Sequence, residues 1–135
     1  MNQKVRTHIK IDTGFGRYGF IYSDIRTIVE TINSLKSVSI EGMYSHFSLA
    51  YYKNNKWTIK QFNRFMEVVE ALNLNDINIQ TLHICNSPAF LNYPNMHLNG
   101  ARIGSAFLGR VDADINVRFK KIGKLKCSIE EIKIV

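Results

Sequence analysis

Two short stretches of this chain carry residue types that bind anions. In LHICNSPAFL, Ser87 is followed by Pro88. That pair reads as a helix start, with Ser87 at the N-cap and Pro88 at the first helical position. Such a terminus presents unpaired backbone N–H groups and a partial positive charge, which suits a phosphate. In ARIGSAFLG, Arg102 is followed by Gly104 and Ser105, where bare backbone can approach the same anion. Leu82–Arg110 therefore reads as a phosphate cradle with an arginine beside it. A third glycine-rich stretch, GFGRYG with Arg17, lacks the GK[ST] ending and the GxGxxG spacing, so a nucleotide site is not expected. His8, His46, His83 and His97 show no HxxH or HExxH spacing, so no metal site is expected either.

The elements that must position these residues follow from periodicity. HIKIDTG, residues 8–14, alternates: His8, Lys10 and Asp12 share one face, Ile9 and Ile11 the other. Ser23 is expected to cap a first helix, with Ile25, Ile28, Val29, Ile32 and Leu35 as its apolar stripe. SIEGMYSHF, residues 39–47, is a second strand with Tyr44 and His46 on one face. Thr58 and Gln61 have the spacing of a capping box. Ile59, Phe62, Phe65, Val69 and Leu72 follow as the stripe of a second helix. LHIC, a short helix from Pro88 and ARIGSAFL complete the series. Alternation of this kind predicts parallel strands with right-handed crossovers. Gly14 to Arg17, His46, Asn86 with Ser87, and Gly104 all fall at strand C-terminal ends, the edge where parallel α/β sheets and barrels bind ligands. Polar residues on strands (Lys10, Asp12, Tyr44, His46, His83, Arg102) argue for a barrel, because a doubly wound sheet buries both faces. A whole (β/α)8 barrel needs about 250 residues, so four strands would make half of one. The expected organisation is α/β: half of a TIM-type barrel over residues 1–112, then the first strands of a β-rich domain over 113–135, where VRFKKIGKLKCSIEEIKIV alternates.

The chain has 135 residues, 45% of them hydrophobic and 21% charged, enough apolar material for a core. Its net charge of +7 allows an anionic ligand or nucleic acid. The basic cluster Arg118, Lys120, Lys121, Lys124 and Lys126 has no interleaved aromatic platform, so no nucleic-acid partner is expected. No apolar run has the length to span a bilayer and no signal peptide opens the chain, so a cytoplasmic location is expected. Cys85 and Cys127 are expected to be buried, reduced thiols.

HIKIDTGFGRYGF, EGMYSHF, HICNSPA and ARIGSAFLG, in this order and spacing, resemble the alanine racemase family of fold-type III pyridoxal phosphate enzymes. The resemblance covers roughly residues 6–110. It implies a (β/α)8 barrel, of which residues 1–112 are the C-terminal half, followed by a β-rich domain, a homodimer, and a pyridoxal 5'-phosphate cofactor. It implies interconversion of L- and D-alanine, which supplies D-alanine for cell-wall peptidoglycan. A serine racemase of the same family and a non-catalytic cofactor-binding remnant are the alternatives. By the same resemblance, Ser87 bonds the cofactor phosphate with backbone help from Gly104 and Ser105, although many relatives carry an aliphatic residue in place of Ser105. Arg102 faces the pyridine nitrogen and leaves it unprotonated, because a guanidinium does not surrender its proton. His46 lies against the ring, His83 stands behind Arg102, and Asn86 lines the pocket. Arg17 lies near the substrate carboxylate, and Lys10 matches a lysine that steadies this arginine, carbamylated in some relatives.

Racemization needs acid–base groups on opposite faces of the substrate. In the family these are the lysine that carries the cofactor as a Schiff base, in a motif like AVVKANAYGHG, and a tyrosine from the β-rich domain. No stretch here matches the lysine motif, and none of the six tyrosines sits in the matching context. No catalytic base is therefore expected in this chain. It is expected to be an internal portion of such an enzyme and inactive by itself.

Overall fold

The computed structural model describes residues 4–114, 116–124 and 126–134. Strand β1 (Val5–Asp12) leads through a glycine-rich turn to a two-residue strand β2 (Phe20–Ile21). Helix α1 (Ile25–Ser34), β3 (Val38–Tyr44), α2 (Lys56–Asn73), β4 (Thr81–Asn86), the short α3 (Ser87–Asn92), a 3-10 turn (Pro94–Met96) and β5 (Gly100–Arg102) follow. The five strands form one sheet in the order β2-β1-β3-β4-β5, and every pairing is parallel. From β1 to β5 the order never reverses, as in one wall of a barrel; a doubly wound sheet would turn back on itself.

The two faces of the sheet differ as the alternation requires. Ile11 of β1, Met43 of β3 and Ile84 of β4 are fully buried and join Ile28 of α1 and Phe65, Val68 and Leu72 of α2 in one core cluster. Register places Lys10 beside Tyr44 and Tyr44 beside His83, so the opposite face carries a polar row. The expected apolar stripe of α2 is corrected by the fold. Its buried residues are Thr58, Gln61, Phe65, Val68 and Leu72, while Ile59 is exposed. Phe65 and Leu72 lie in both lines, Phe62 and Val69 pack partly buried against the core, and Thr58, Gln61 and Val68 take the remaining buried places, which leaves a fully buried glutamine in the core.

All three helix starts are displaced from their expected positions. Asp24 caps α1 by accepting from the Thr27 amide, in place of Ser23. Asn55 caps α2, its Oδ1 accepting from the amides of Trp57 (2.9 Å) and Thr58 (3.1 Å). Thr58 and Gln61 form no capping box because both side chains point into the protein. Asn86 caps α3 through the Ala89 amide, so Ser87 lies inside the helix. In each case an Asx side chain occupied the cap nearest the chain's exit from a strand or loop, which local spacing does not distinguish from a neighbouring Ser or Thr.

ARIGSAFL was expected to be one strand, but only Gly100–Arg102 pair. Beyond Arg102 the chain coils into turns, with the amides of Leu108, Gly109 and Arg110 donating to the carbonyls of Gly104, Ala106 and Ser105. Among the described residues after 110 there is no strand; residues 115, 125 and 135 of the expected β segment lie outside the described ones. Alternation sets which faces a strand would have, yet a strand forms only where a partner satisfies its backbone groups. Cys85 is buried, whereas Cys127 is exposed, and both are free thiols.

Substituting Asn55→Ala removes the acceptor of two helix amides and lowers stability by about 1 kcal/mol. Urea unfolding checks this; an unchanged midpoint would return the cap to Thr58.

Candidate functional site

The C-terminal ends of β4 and β5 lie side by side, with Asn86 paired to Arg102. Ser87 follows β4 directly and is buried. Its Oγ accepts from the backbone amides of Gly104 (2.9 Å) and Ala106 (3.2 Å). Two amide N–H groups therefore converge on one oxygen, the donor set of an anion cradle. A helix of six residues carries little macrodipole, so these two amides rather than α3 make the site attractive to an anion. The cradle opens into a cavity of ≈ 230 Å³ lined by His46, Tyr51, Asn86, Ser87, Pro88, Arg102, Gly104 and Ser105. Ser105 lines the cavity while its carbonyl accepts from Arg110; the converging amide is that of Ala106.

Arg102 is held from two sides. One terminal nitrogen donates to His83 Nδ1 (2.7 Å) and to the His83 carbonyl (3.3 Å). The other donates to the Ser45 carbonyl (2.6 Å) and to His46 Nδ1 (3.1 Å). Because a guanidinium can only donate, both imidazoles must accept at Nδ1 and carry their proton on Nε2. The His83 Nε2–H then points at His8 Nδ1, 2.8 Å away. The 3.3 Å approach of Asn86 Nδ2 to His46 Nε2 sets two N–H groups together and is not a hydrogen bond in that state. Asn86 cannot turn its amide to help, since Oδ1 takes the Ala89 amide and Nδ2 donates to the Phe47 carbonyl. Tyr44 stacks on His83 and also lies under the Arg102 guanidinium.

Burial first, then the Arg102 charge, lowers the pKa of His46 and of His83 from the usual 6.5 to about 4. Neither ring is charged at neutral pH. Burial likewise pushes the Cys85 thiol up to about 12, so it stays a thiol.

The GFGRYG turn is organised by an anion of its own. Asp12 Oδ1 accepts from the amides of Gly14, Phe15 and Gly16, and Oδ2 from that of Arg17. Burial pushes this carboxyl up, but the four amides together hold it below the usual carboxylate range. Lys10 donates to the carbonyls of Arg17 and Tyr18, fastening the turn from β1. Burial lowers the Lys10 pKa, and Arg17 and Arg102 push the same way against Asp12. The Arg17 guanidinium lies on the Phe15 ring, which meets the His46 ring edge-on. Arg17 and Lys10 thus flank the cavity through Phe15 and the turn, and do not line it.

The structure gathers His46, Asn86, Ser87, Arg102, Gly104 and Ser105 at one cavity, with His83 behind Arg102. Sequence reasoning missed Tyr51, Ala106, His8 and Gln61. His8 sits against Gly42, where an added Cβ would lie 2.4 Å from the imidazole; paired positions with a glycine facing a histidine were the available signal. Gln61 could have been found from its 4-3-4 spacing to Phe65, Val68 and Leu72.

The C-terminal edge of a parallel α/β wall thus carries two amides converging on a hydroxyl and an arginine held by neutral imidazoles. Residues 1–111 match the family described as alanine racemase, N-terminal domain, and the chain belongs to that family. It is 34% identical to the alanine racemase of Clostridium novyi over 98% of this chain and 36% of that protein. It is 35% identical to the alanine racemase of Clostridium tetani, over 98% of this chain and 35% of that one. Among solved structures it resembles the alanine racemase of Clostridium difficile 630 in complex with cycloserine, with a TM-score of 0.80, 29% identity, and coverage of 88% of this chain and 34% of that one. The chain therefore spans about a third of the length of the relatives it matches.

The neutral imidazoles set a pH window. As pH falls through 6.5 the unfolded chain binds protons at these histidines, and the folded chain does not until about 4. Their contribution to stability is complete above 6.5 and is lost progressively between 6.5 and 4. Thermal unfolding should show Tm falling across this window, with a shallower fall in His83→Asn. Equal slopes in the two proteins would remove His83 from the account.

Proposed function

We propose that this chain is the cofactor-holding part of a pyridoxal 5'-phosphate-dependent alanine racemase, the C-terminal half of its barrel. The observation that carries the reading is the convergence of the Gly104 and Ala106 amides on Ser87 Oγ, in the cavity that Arg102 also lines. The donor set fits the cofactor. Ser87 and the two amides would hold the phosphate. Arg102 would meet the pyridine nitrogen as a donor that cannot give up its proton, and His46 and Asn86 would line the ring. Charge supports the same fit: Arg102, Lys10 and Arg17 are cations, and the Asp12 carboxylate beside Lys10 is already engaged by four amides. A dianionic phosphate supplies the missing counter-charge.

Bound pyridoxal phosphate supplies an electron-withdrawing ring that acidifies the α-proton of an attached amino acid. What these residues do is bind and tune. Arg102 keeps its proton at the guanidinium, so the ring nitrogen it meets stays unprotonated and withdraws electrons less strongly. Lys10 steadies the turn that carries Arg17, which would meet the substrate carboxylate. Proton transfer at the two faces of alanine requires two further acid–base groups. The relatives' greater length leaves room for these, and for the homodimer and the cytoplasmic D-alanine supply for peptidoglycan that the reading entails. The 135-residue chain alone should form no D-alanine from L-alanine and cofactor.

Binding separates the reading from its rivals. Pyridoxamine 5'-phosphate is the probe, because it lacks the aldehyde that labels surface lysines. Calorimetric titration should detect it, and should detect pyridoxamine, which lacks the phosphate, at least about ten-fold more weakly. Ser87→Asp places a carboxylate in the cradle and should abolish the difference. Equal affinity for the two ligands in the unsubstituted chain would sink the phosphate assignment.

A further inference from the structure

Arg102 is anchored on one side by Ser45 and His46, and both of these are tied to a residue of α2 that lies outside the cavity. Gln61 is fully buried. Its Nε2 donates to the His46 carbonyl (3.1 Å) and to Thr13 Oγ1 (3.4 Å). Its Oε1 accepts from the Ser48 amide and from Ser48 Oγ, each at 3.0 Å. All four hydrogen-bonding positions of the amide are used. The amide cannot be turned over, because Oε1 would then face a carbonyl and Nε2 a backbone N–H. Thr13 Oγ1 in turn bonds Ser45 Oγ at 2.8 Å. One side chain thus grips the backbone at His46 and Ser48 and, through Thr13, the side chain of Ser45.

We propose that Gln61 is a positioning residue for Arg102: it sets the two acceptors, the Ser45 carbonyl and His46 Nδ1, that aim one edge of the guanidinium at the cavity. The assignment rests on the proposed function only for what the cavity holds; the grip on Ser45 and His46 stands without it. Two features distinguish this from core filling. An apolar residue there would fill the same space but leave the His46 carbonyl, the Ser48 amide and the Thr13 and Ser48 hydroxyls without these bonds. The neighbouring helical turn repeats the arrangement, with Arg64 donating to the Thr13 carbonyl (3.0 Å) while stacked on Tyr22 and Trp57. Helix α2 therefore holds the ends of β1 and β3 by polar bonds at the level of the site, and by apolar contacts below it.

The test uses Gln61→Met, similar in length and unable to make any of the four bonds. The groups around the His46 ring are Arg102, Asn86 and Phe15, with the charges of Arg17 and Lys10 beyond. Releasing His46 from Gln61 moves the ring away from Arg102 and toward water. In the 135-residue chain, followed by imidazole 13C–1H resonances, His46 should then titrate nearer 6.5 while His83 stays at about 4. Affinity for pyridoxamine 5'-phosphate should fall about ten-fold and that for inorganic phosphate should not change, since the Ser87 cradle is untouched. A purely structural glutamine would lower Tm and leave the His46 titration as it was, which would overturn the proposal. Should Gln61→Met fail to fold, Thr13→Val breaks the link to Ser45 alone. The same ligand shift is expected from it, with rescue by Thr13→Ser; no shift overturns the proposal equally. If the unsubstituted chain binds neither ligand, the proposed function fails while the imidazole titration still decides the role of Gln61.

Discussion

The site depends on a half-buried cation that has no carboxylate partner among the described residues. Arg102 makes four hydrogen bonds, to two carbonyls and two imidazole nitrogens, and all four partners are neutral. Such an arrangement holds the guanidinium in place without cancelling its charge. It also imposes a proton pattern on its surroundings, since an imidazole beside a permanent donor must accept and stays uncharged. Strands β3, β4 and β5 are joined at their C-terminal ends by this one side chain. A conventional ion pair there would have satisfied Arg102 internally and left little field for a ligand.

Two glycine-rich turns lie at the same sheet edge and differ in what fills them. The turn after β1 closes around Asp12, which takes four amides and leaves none for a visitor. The turn after β5 closes on a neutral hydroxyl, that of Ser87. A hydroxyl can share its donors with an incoming phosphate oxygen; a carboxylate would repel it. The first turn is therefore closed on itself and the second keeps donors that an anion could share, although both show the same small residues in sequence. Gly14 belongs to the closed turn, because a Cβ there would lie 2.7 Å from the Trp57 ring.

Helix α2 links the core to the chemistry. Its lower turns bury Phe65, Val68 and Leu72 among Ile11, Met43 and Ile84. Its upper turns present Gln61 and Arg64 to the strand ends. The polar end of the helix interrupts the apolar core where strands give way to loops, and there backbone carbonyls need donors. In parallel α/β folds this edge is the ligand edge for the same reason: strand ends leave polar groups that the core cannot satisfy.

Much of this was legible in sequence. Alternation in HIKID and LHIC, helical stripes in residues 25–35 and 58–72, and small polar residues after each strand were enough for parallel α/β order and for the gathering of those polar residues at one sheet edge. Ser87, Arg102 and Gly104 could be singled out from residue type at strand ends, and His46 and His83 through the resemblance of their motifs to a known family. Periodicity and spacing are local, and these features are local. The cap residues, the shortness of β5 and the inward turn of Gln61 were not legible. The last two are decided by partners distant in the chain, a hydroxyl at Ser87 for the Gly104 amide and a carbonyl at His46 for Gln61; the caps are decided by which of several neighbouring side chains reaches the helix amides. Sequence determined which residues could hold an anion and in what order they would arrive. Tertiary structure decided that Asp12 fills its own turn, that Ser87 leaves its cradle open to share, and that Arg102 stays charged among neutral partners, because only the packed sheet sets donors and acceptors opposite one another.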